Sequence, residues 1–264
     1  MGKVFTSSKF IDKFYWLVND VPNVYASGSG IWCTYYNNRW RMDCVCSIKG
    51  ILWGFSADKN KLHGGAIYKS NGVADFTCNG ALNYCTDVSA NFNNLVPGEY
   101  LCMKGTKYNH SGIYLGNGKV FECTTGWGVN KCIISSINNK GIRSYKGKNN
   151  LKWTYHGKLK YINYDSSVKS DYELASLVIQ GKYGNGQTRK KGLGSRYRDV
   201  QNMVNKIVNY NGKSIVDILN KIGIDSSYSN REKIAKINGI SNYMGTSKQN
   251  LKMISLLKKG LLKI

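Results

Sequence analysis

Acidic residues are scarce in this chain: 15 Asp and Glu stand against 38 Lys and Arg over 264 residues, for a net charge of +23. The deficit runs through both halves, with 20 basic against 9 acidic residues in 1–165 and 18 against 6 in 166–264. A polyanionic partner is expected, and charge alone does not choose among nucleic acid, anionic wall polymers and a negatively charged membrane surface. Histidine is scarcer still, with three in all, and the only close cysteine pair, Cys44-Val45-Cys46, has one intervening residue where structural zinc sites have two to four. Metal binding is therefore not expected, nor is any other cofactor.

No run approaches the eighteen or more apolar residues of a membrane span, and the start, Met1-Gly2-Lys3-Val4-Phe5-Thr6, lacks an apolar signal core. The expectation is a protein made in the cytoplasm without a signal peptide and without an integral membrane segment. Cysteine is missing from the second half: all eight lie at or before Cys132. Without a secretion signal they read as reduced thiols, most of them small core residues, rather than as a disulfide framework. No helix-turn-helix, zinc-finger or RNA-binding signature accompanies the charge, so nucleic-acid binding is the lesser alternative.

What is present is a change of periodicity along the chain. Phe10, Phe14 and Leu17 recur at helical spacing within 8–19, and the apolar run 44–54 follows Asp43, a good N-cap, so a buried helix is expected to begin at Asp43 or Cys44. From Val96 the period becomes two, which predicts antiparallel strands at 97–103, 111–115 and 119–123, with a further strand at 158–162. Beyond the polar break at 163–167 helical spacing returns, as in Val200, Met203, Val204 and Ile207.

A thiol becomes a useful nucleophile where its thiolate is stabilised, by a helix N-terminus or a neighbouring imidazole, and Cys44 is placed for both. His110 opens the strand 111–115, and Glu122 lies on the far side of the Gly116-Asn117-Gly118 turn, where it would orient the imidazole. A two-residue Asn117-Gly118 turn pairs Ile113 with Glu122 and puts His110 and Glu122 on opposite faces. A three-residue loop with a bulge pairs Gly112 with Glu122 and puts them on the same face. The chemistry thus requires the second arrangement, and a three-residue loop is expected.

Asp43-Cys44, Pro97-Gly98-Glu99 and His110-Ser111-Gly112-Ile113-Tyr114-Leu115-Gly116-Asn117-Gly118 together resemble the NlpC-type papain-like peptidoglycan hydrolases over roughly residues 8–162. The resemblance implies an α+β papain-like domain, an antiparallel sheet packed on N-terminal helices, with Cys44 as nucleophile, His110 as base and Glu122 as orienting residue. Glu in the third place is similar to the related CHAP amidases. The bond cut is left open between N-acetylmuramoyl-L-alanine amidase and peptide endopeptidase activity.

Residues 171–208, with Gly181-Lys182-Tyr183-Gly184-Asn185-Gly186, Arg189 and Val200-Gln201-Asn202-Met203-Val204-Asn205, resemble the Cpl-type cell-wall-binding repeat of phage lysins. That implies a three-helix unit recognising peptidoglycan fragments, with Tyr183, Arg189, Arg196 and Tyr197 as candidate contacts. The organisation expected is a catalytic domain at 1–165, the repeat at 166–210 and a helical segment at 211–264 with accessory wall binding, the last two being small all-α modules. Partners would be peptidoglycan and anionic wall polymers, with self-association through the C-terminal modules. The whole resembles a phage endolysin, and a non-catalytic basic wall-binding protein is the alternative.

Overall fold

Helix α1 (Ser7–Asn19) begins where the Thr6 hydroxyl accepts a hydrogen bond from the Lys9 amide, 3.4 Å away, satisfying one of the orphan N–H groups of the first turn. The computed structural model describes residues 4–28, 32–105, 108–164 and 169–264. It divides into two compact units, Met1–Val168 and Lys169–Ile264. The boundary expected at residue 165 lies outside the described residues.

In the first unit, β1 (Phe5–Thr6) leads into α1, and β2 (Asn23–Tyr25), β3 (Thr34–Tyr36) and β4 (Arg39–Met42) form a small sheet of order β2-β4-β3. Helix α2 (Cys44–Leu52) follows directly, capped by Asp43, whose carboxylate accepts from the Cys46 amide at 2.6 Å. Next come β5 (Cys85–Ser89), β6 (Tyr100–Cys102), β7 (Ser111–Gly116) and β8 (Lys119–Thr124). They are followed by β9 (Lys131–Ile137), β10 (Ile142–Tyr145), β11 (Lys148–Lys152) and β12 (Tyr155–Leu159). Among the described residues these eight strands make one antiparallel sheet, in the order β11-β10-β9-β8-β7-β6-β12-β5. The strand expected at 158–162 is broken: the chain turns at Lys160 and Tyr161, and β13 (Ile162–Asn163) leaves to pair in parallel with β1.

The β7–β8 hairpin sets the register on which the site depends. Gly116 pairs with Lys119 across a two-residue turn in which Asn117 and Gly118 have φ of 50° and 67°, as a type I′ turn demands. Leu115 is then the odd residue, and pairing resumes at Tyr114 with Val120 and carries Gly112 opposite Glu122. The pairing is the one expected, but the device differs: a tight turn plus a bulge replaces the three-residue loop. Gly112 has no room for a side chain, since a Cβ there would lie 2.7 Å from the Phe121 carbonyl oxygen and 2.9 Å from the Trp153 ring.

Helix α1 buries Phe10, Ile11, Phe14 and Leu17 against the sheet, with Phe14 and Phe121 ring centroids 4.4 Å apart, and Ile48, Ile51 and Leu52 of α2 join the same core. Burying each such side chain is worth roughly 1.5–3 kcal/mol, so this core, rather than helix propensity, holds the start of the short helix α2 against β7 and β8. Val120, one residue from Phe121, points to the other face, where it packs with Leu101, Met103 and Trp153.

In the second unit the described residues form α3 (Asp171–Ile179), α4 (Gly186–Leu193), α5 (Tyr197–Val208), α6 (Ile215–Lys221), α7 (Tyr228–Ile237) and α8 (Ser247–Lys258). Ser170, Ser214, Ser227 and Thr246 cap four of these helices, and the pairs Ser170/Glu173 and Thr246/Gln249 are reciprocal capping boxes. One apolar cluster runs from Tyr172 to Leu262, across the division expected at 210. No helix among the described residues is long and apolar enough to cross a membrane.

Candidate functional site

Cys44 occupies the first position of α2, where the unsatisfied amides and the helix dipole favour a negative charge. His110 stands immediately before β7, and its Nε2 donates to Glu122 Oε2 at 2.8 Å, which leaves Nδ1 as the ring nitrogen for the Cys44 thiol. A hydrogen bond from the Cys78 thiol, and then the hydrogen bond and charge of His110, hold the Cys44 thiol well below its ordinary value despite burial. Burial opposes protonation of His110, yet hydrogen bonds to Cys44 and Glu122 and the charges they carry raise it to about 9. Both shifts favour the thiolate–imidazolium form of the pair.

Glu122 is fully buried, and its surroundings favour the charged form. Ser135 Oγ of β9 and Arg143 Nη2 of β10 both bond to its carboxylate in addition to His110. Burial pushes this carboxyl up, but His110 and Arg143 outweigh it and hold it below the usual carboxylate range. Arg143 is itself clasped, its guanidinium 4.8 Å from the Trp127 ring centroid and 5.2 Å from that of Trp153. Trp153 stacks on the His110 ring at 5.3 Å and 14°.

Two cavities of about 420 Å³ flank the dyad. One is lined by Asp43, Val45, Cys46, Lys49, Asp75 and Cys78 among others, the second by Tyr25, Tyr108, His110, Thr124, Arg143 and Asn150 among others, and Asn109 lines both. Among the described residues no three His, Cys, Asp or Glu side chains converge as metal ligands would.

The structure thus brings together Cys44, His110 and Glu122, and it adds residues that sequence reasoning missed. Cys78 was expected to be a plain structural thiol, but its Sγ lies 3.4 Å from that of Cys44 and 3.7 Å from Ser111 Oγ. Ser135, Arg143 and Trp153 come from strands and loops with no motif around them, and Ser111 alone had a signal, its place in the His110-Ser111-Gly112 run. His156 also pairs with a carboxylate, Nδ1 to Glu99 Oε2 at 2.8 Å, but its Nε2 is spent on the Asn91 carbonyl at 2.9 Å. His63 stacks on Trp32.

In the second unit the four expected contact residues part company. Tyr183 and Tyr197 are half-buried, packed against the helical core. Arg189 folds back on its own turn, donating to the Gly184 carbonyl from Nε at 3.0 Å and to Gln201 Oε1 from Nη1 at 3.1 Å. Arg196, expected to touch ligand, is 4% exposed and engaged with Asp171 and the Lys169 carbonyl. These bonds tie its guanidinium to the entry of α3.

Residues 172–208 match the CW_7 repeat. The chain is 31% identical over 130 residues to the endolysin of Listeria phage A511, an alignment covering 48% of this chain and 36% of that protein. It is 44% identical over 52 residues to the L-alanyl-D-glutamate peptidase of Listeria phage A118, covering 20% of this chain and 18% of that protein. The chain therefore spans well under half the length of these curated relatives.

Proposed function

We propose that this chain is a phage-type endolysin, a cysteine-dependent hydrolase that cleaves an amide bond of bacterial peptidoglycan and carries its own wall-binding helices. The observation that carries the reading is the convergence of Cys44 at a helix start, His110 before β7 and Glu122 on β8, the constellation of a papain-like amide hydrolase. The A511 and A118 relatives, by their names, and the CW_7 repeat at 172–208 support peptidoglycan as the substrate and the wall as the place of action.

In this reading the Cys44 thiolate attacks the amide carbonyl carbon, and the developing oxyanion is met by first-turn amides of α2. His110 protonates the leaving amine as the C–N bond breaks, and then takes a proton from water, which hydrolyses the thioester and frees Cys44. Glu122, held by Ser135 and Arg143, keeps the imidazole in the tautomer and orientation both steps need. The scissile bond joins either muramic acid to L-alanine or two residues of the peptide.

Turbidity loss of purified Gram-positive peptidoglycan, with mass spectrometry of the fragments, tests the reading. Wild type is expected to solubilise the wall and Cys44→Ala to lose at least about 10³-fold in rate, as removal of a nucleophile does. Fragment masses then separate amidase from endopeptidase, and equal lysis by Cys44→Ala would reject the nucleophile.

A further inference from the structure

We infer that residues 214–258 are a second copy of the three-helix unit at 170–208 and form a second binding site for the same class of ligand, a sugar–peptide fragment of the wall. The ligand class rests on the wall-binding reading above, whereas the duplication rests on the geometry of the two segments.

The first helix of each copy is capped by a serine, Ser170 or Ser214, whose Oγ accepts from the amide three residues on, at 3.1 and 3.2 Å. Four, five and eight residues after that cap come the buried apolar groups Leu174, Ala175 and Val178 in one, and Ile218, Leu219 and Ile222 in the other. The third helices are both twelve residues long, Tyr197–Val208 and Ser247–Lys258. Their seventh, eighth and eleventh residues are buried in both: Met203, Val204 and Ile207, then Met253, Ile254 and Leu257. A heptad-like stripe is common to amphipathic helices, so these matches alone would be weak.

The middle helices supply what generic packing does not. Arg189 and Arg231 each stand four residues after the cap of their helix, Asn185 and Ser227. Each turns its Nε back onto the carbonyl of the residue before that cap, Gly184 or Ser226, at 3.0 Å in both. Each also sends Nη1 toward the third helix of its own copy. Arg189 reaches Gln201 directly at 3.1 Å, and Arg231 reaches the Tyr243 hydroxyl at 2.7 Å, which donates on to Asn250 at 2.6 Å. An arginine threaded through a turn in this way fixes the loop between the first and second helices, and it recurs at the equivalent place.

Each copy carries a tyrosine near this turn, at a different place in each: Tyr183 two residues before the cap Asn185, and Tyr228 one residue after the cap Ser227. Tyr228 is 49% exposed with the Arg231 guanidinium 5.6 Å from its ring centroid, an aromatic face beside hydrogen-bonding groups of the kind on which a sugar–peptide fragment stacks. Two such turns would give the chain two weak sites whose joint action on a polymeric wall exceeds either alone.

The test is calorimetric titration of the full chain, carrying Cys44→Ala to prevent cleavage, with a soluble disaccharide-peptide released from the wall. Two sites on the helical unit are expected, beside any fragment held in the catalytic cleft, with Tyr228→Ala weakening one of them about tenfold or more and leaving the rest unchanged. Affinity insensitive to Tyr228→Ala at every site would overturn the second site while leaving the first copy as the wall-binding module. No binding to either copy would overturn the ligand class for both. Because the cleft of Cys44→Ala can itself hold a fragment, the response to Tyr228→Ala, rather than the number bound, assigns a site to the second copy.

Discussion

Glu122 has no exposure to solvent and three groups bonded to its carboxylate, so its charge survives only because Arg143, Ser135 and His110 surround it. Removing the guanidinium with Arg143→Ala leaves a buried, underpaired carboxylate and is expected to cost about 3–5 kcal/mol, read as a lowered denaturation midpoint. Ser135→Ala, which removes one neutral donor, is expected to cost about 1–3 kcal/mol in the same measurement. The pH profile follows from the dyad itself. Cys44 is ionised from well below the ordinary thiol range and His110 keeps its proton up to about 9, so lytic rate is expected to hold through neutrality and fall as pH rises through that value. Cys78→Ala takes away the first donor to the thiolate and is expected to move the acid limb of initial rates on purified sacculi to higher pH, with Cys78→Ser restoring it in part. Cys44, His110 and Glu122 were legible because each has a local mark: a cap, a strand opening, a place across a turn. Cys78, Ser135, Arg143 and Trp153 had none, because each enters the site from a distant segment and only tertiary pairing brings it there.

At the scale of elements, α1, α2 and the strands β6, β7 and β8 stood out in the sequence, since each has one buried face and so a clear period. Strand β11, whose residues Lys148–Lys152 are all exposed, has no apolar alternation to read, and β10 is followed only by the Lys146-Gly147 turn. The small β2-β4-β3 sheet was equally silent, being built from three- and four-residue pieces. The hairpin shows how close the sequence came: the partner of Gly112 was deducible from chemistry, whereas the place of the odd residue depends on the turn's own twist. Because pairing is secured at Tyr114 with Val120, one glycine inserted between Asn117 and Gly118 is expected to lengthen the loop and still keep lysis within a few-fold of wild type. One residue inserted between Ser111 and Gly112 reverses the face that His110 presents and is expected to abolish it. Lysis assays on the two insertion variants, with circular dichroism to confirm folding, distinguish these outcomes.

Across the whole molecule, each unit has its own apolar core, and the charge excess is shared between them. Residues 169–264 expressed alone are therefore expected to unfold cooperatively on heating, with one transition across the boundary at 210 because one core spans it. The net charge of +23 acts through a field that salt screens, with a Debye length of about 10 Å at 0.1 M and about 3 Å at 1 M. Retention on intact walls is expected to fall steeply over that range, and retention on walls stripped of anionic polymer much less, which a co-sedimentation assay on both preparations measures. Here the sequence was informative about sign and spread of charge but could not show that the helices after 170 share a single interior, since that depends on which apolar stripes meet.

The stack of Trp153 on His110 gives the protein an optical property. An imidazolium quenches the emission of an indole in contact with it far more than a neutral imidazole does, so the fluorescence of this one tryptophan reports the charge of the base it covers. The proton on His110 can then be followed in the resting protein, without substrate, as a rise in emission through the alkaline range that Trp153→Phe removes.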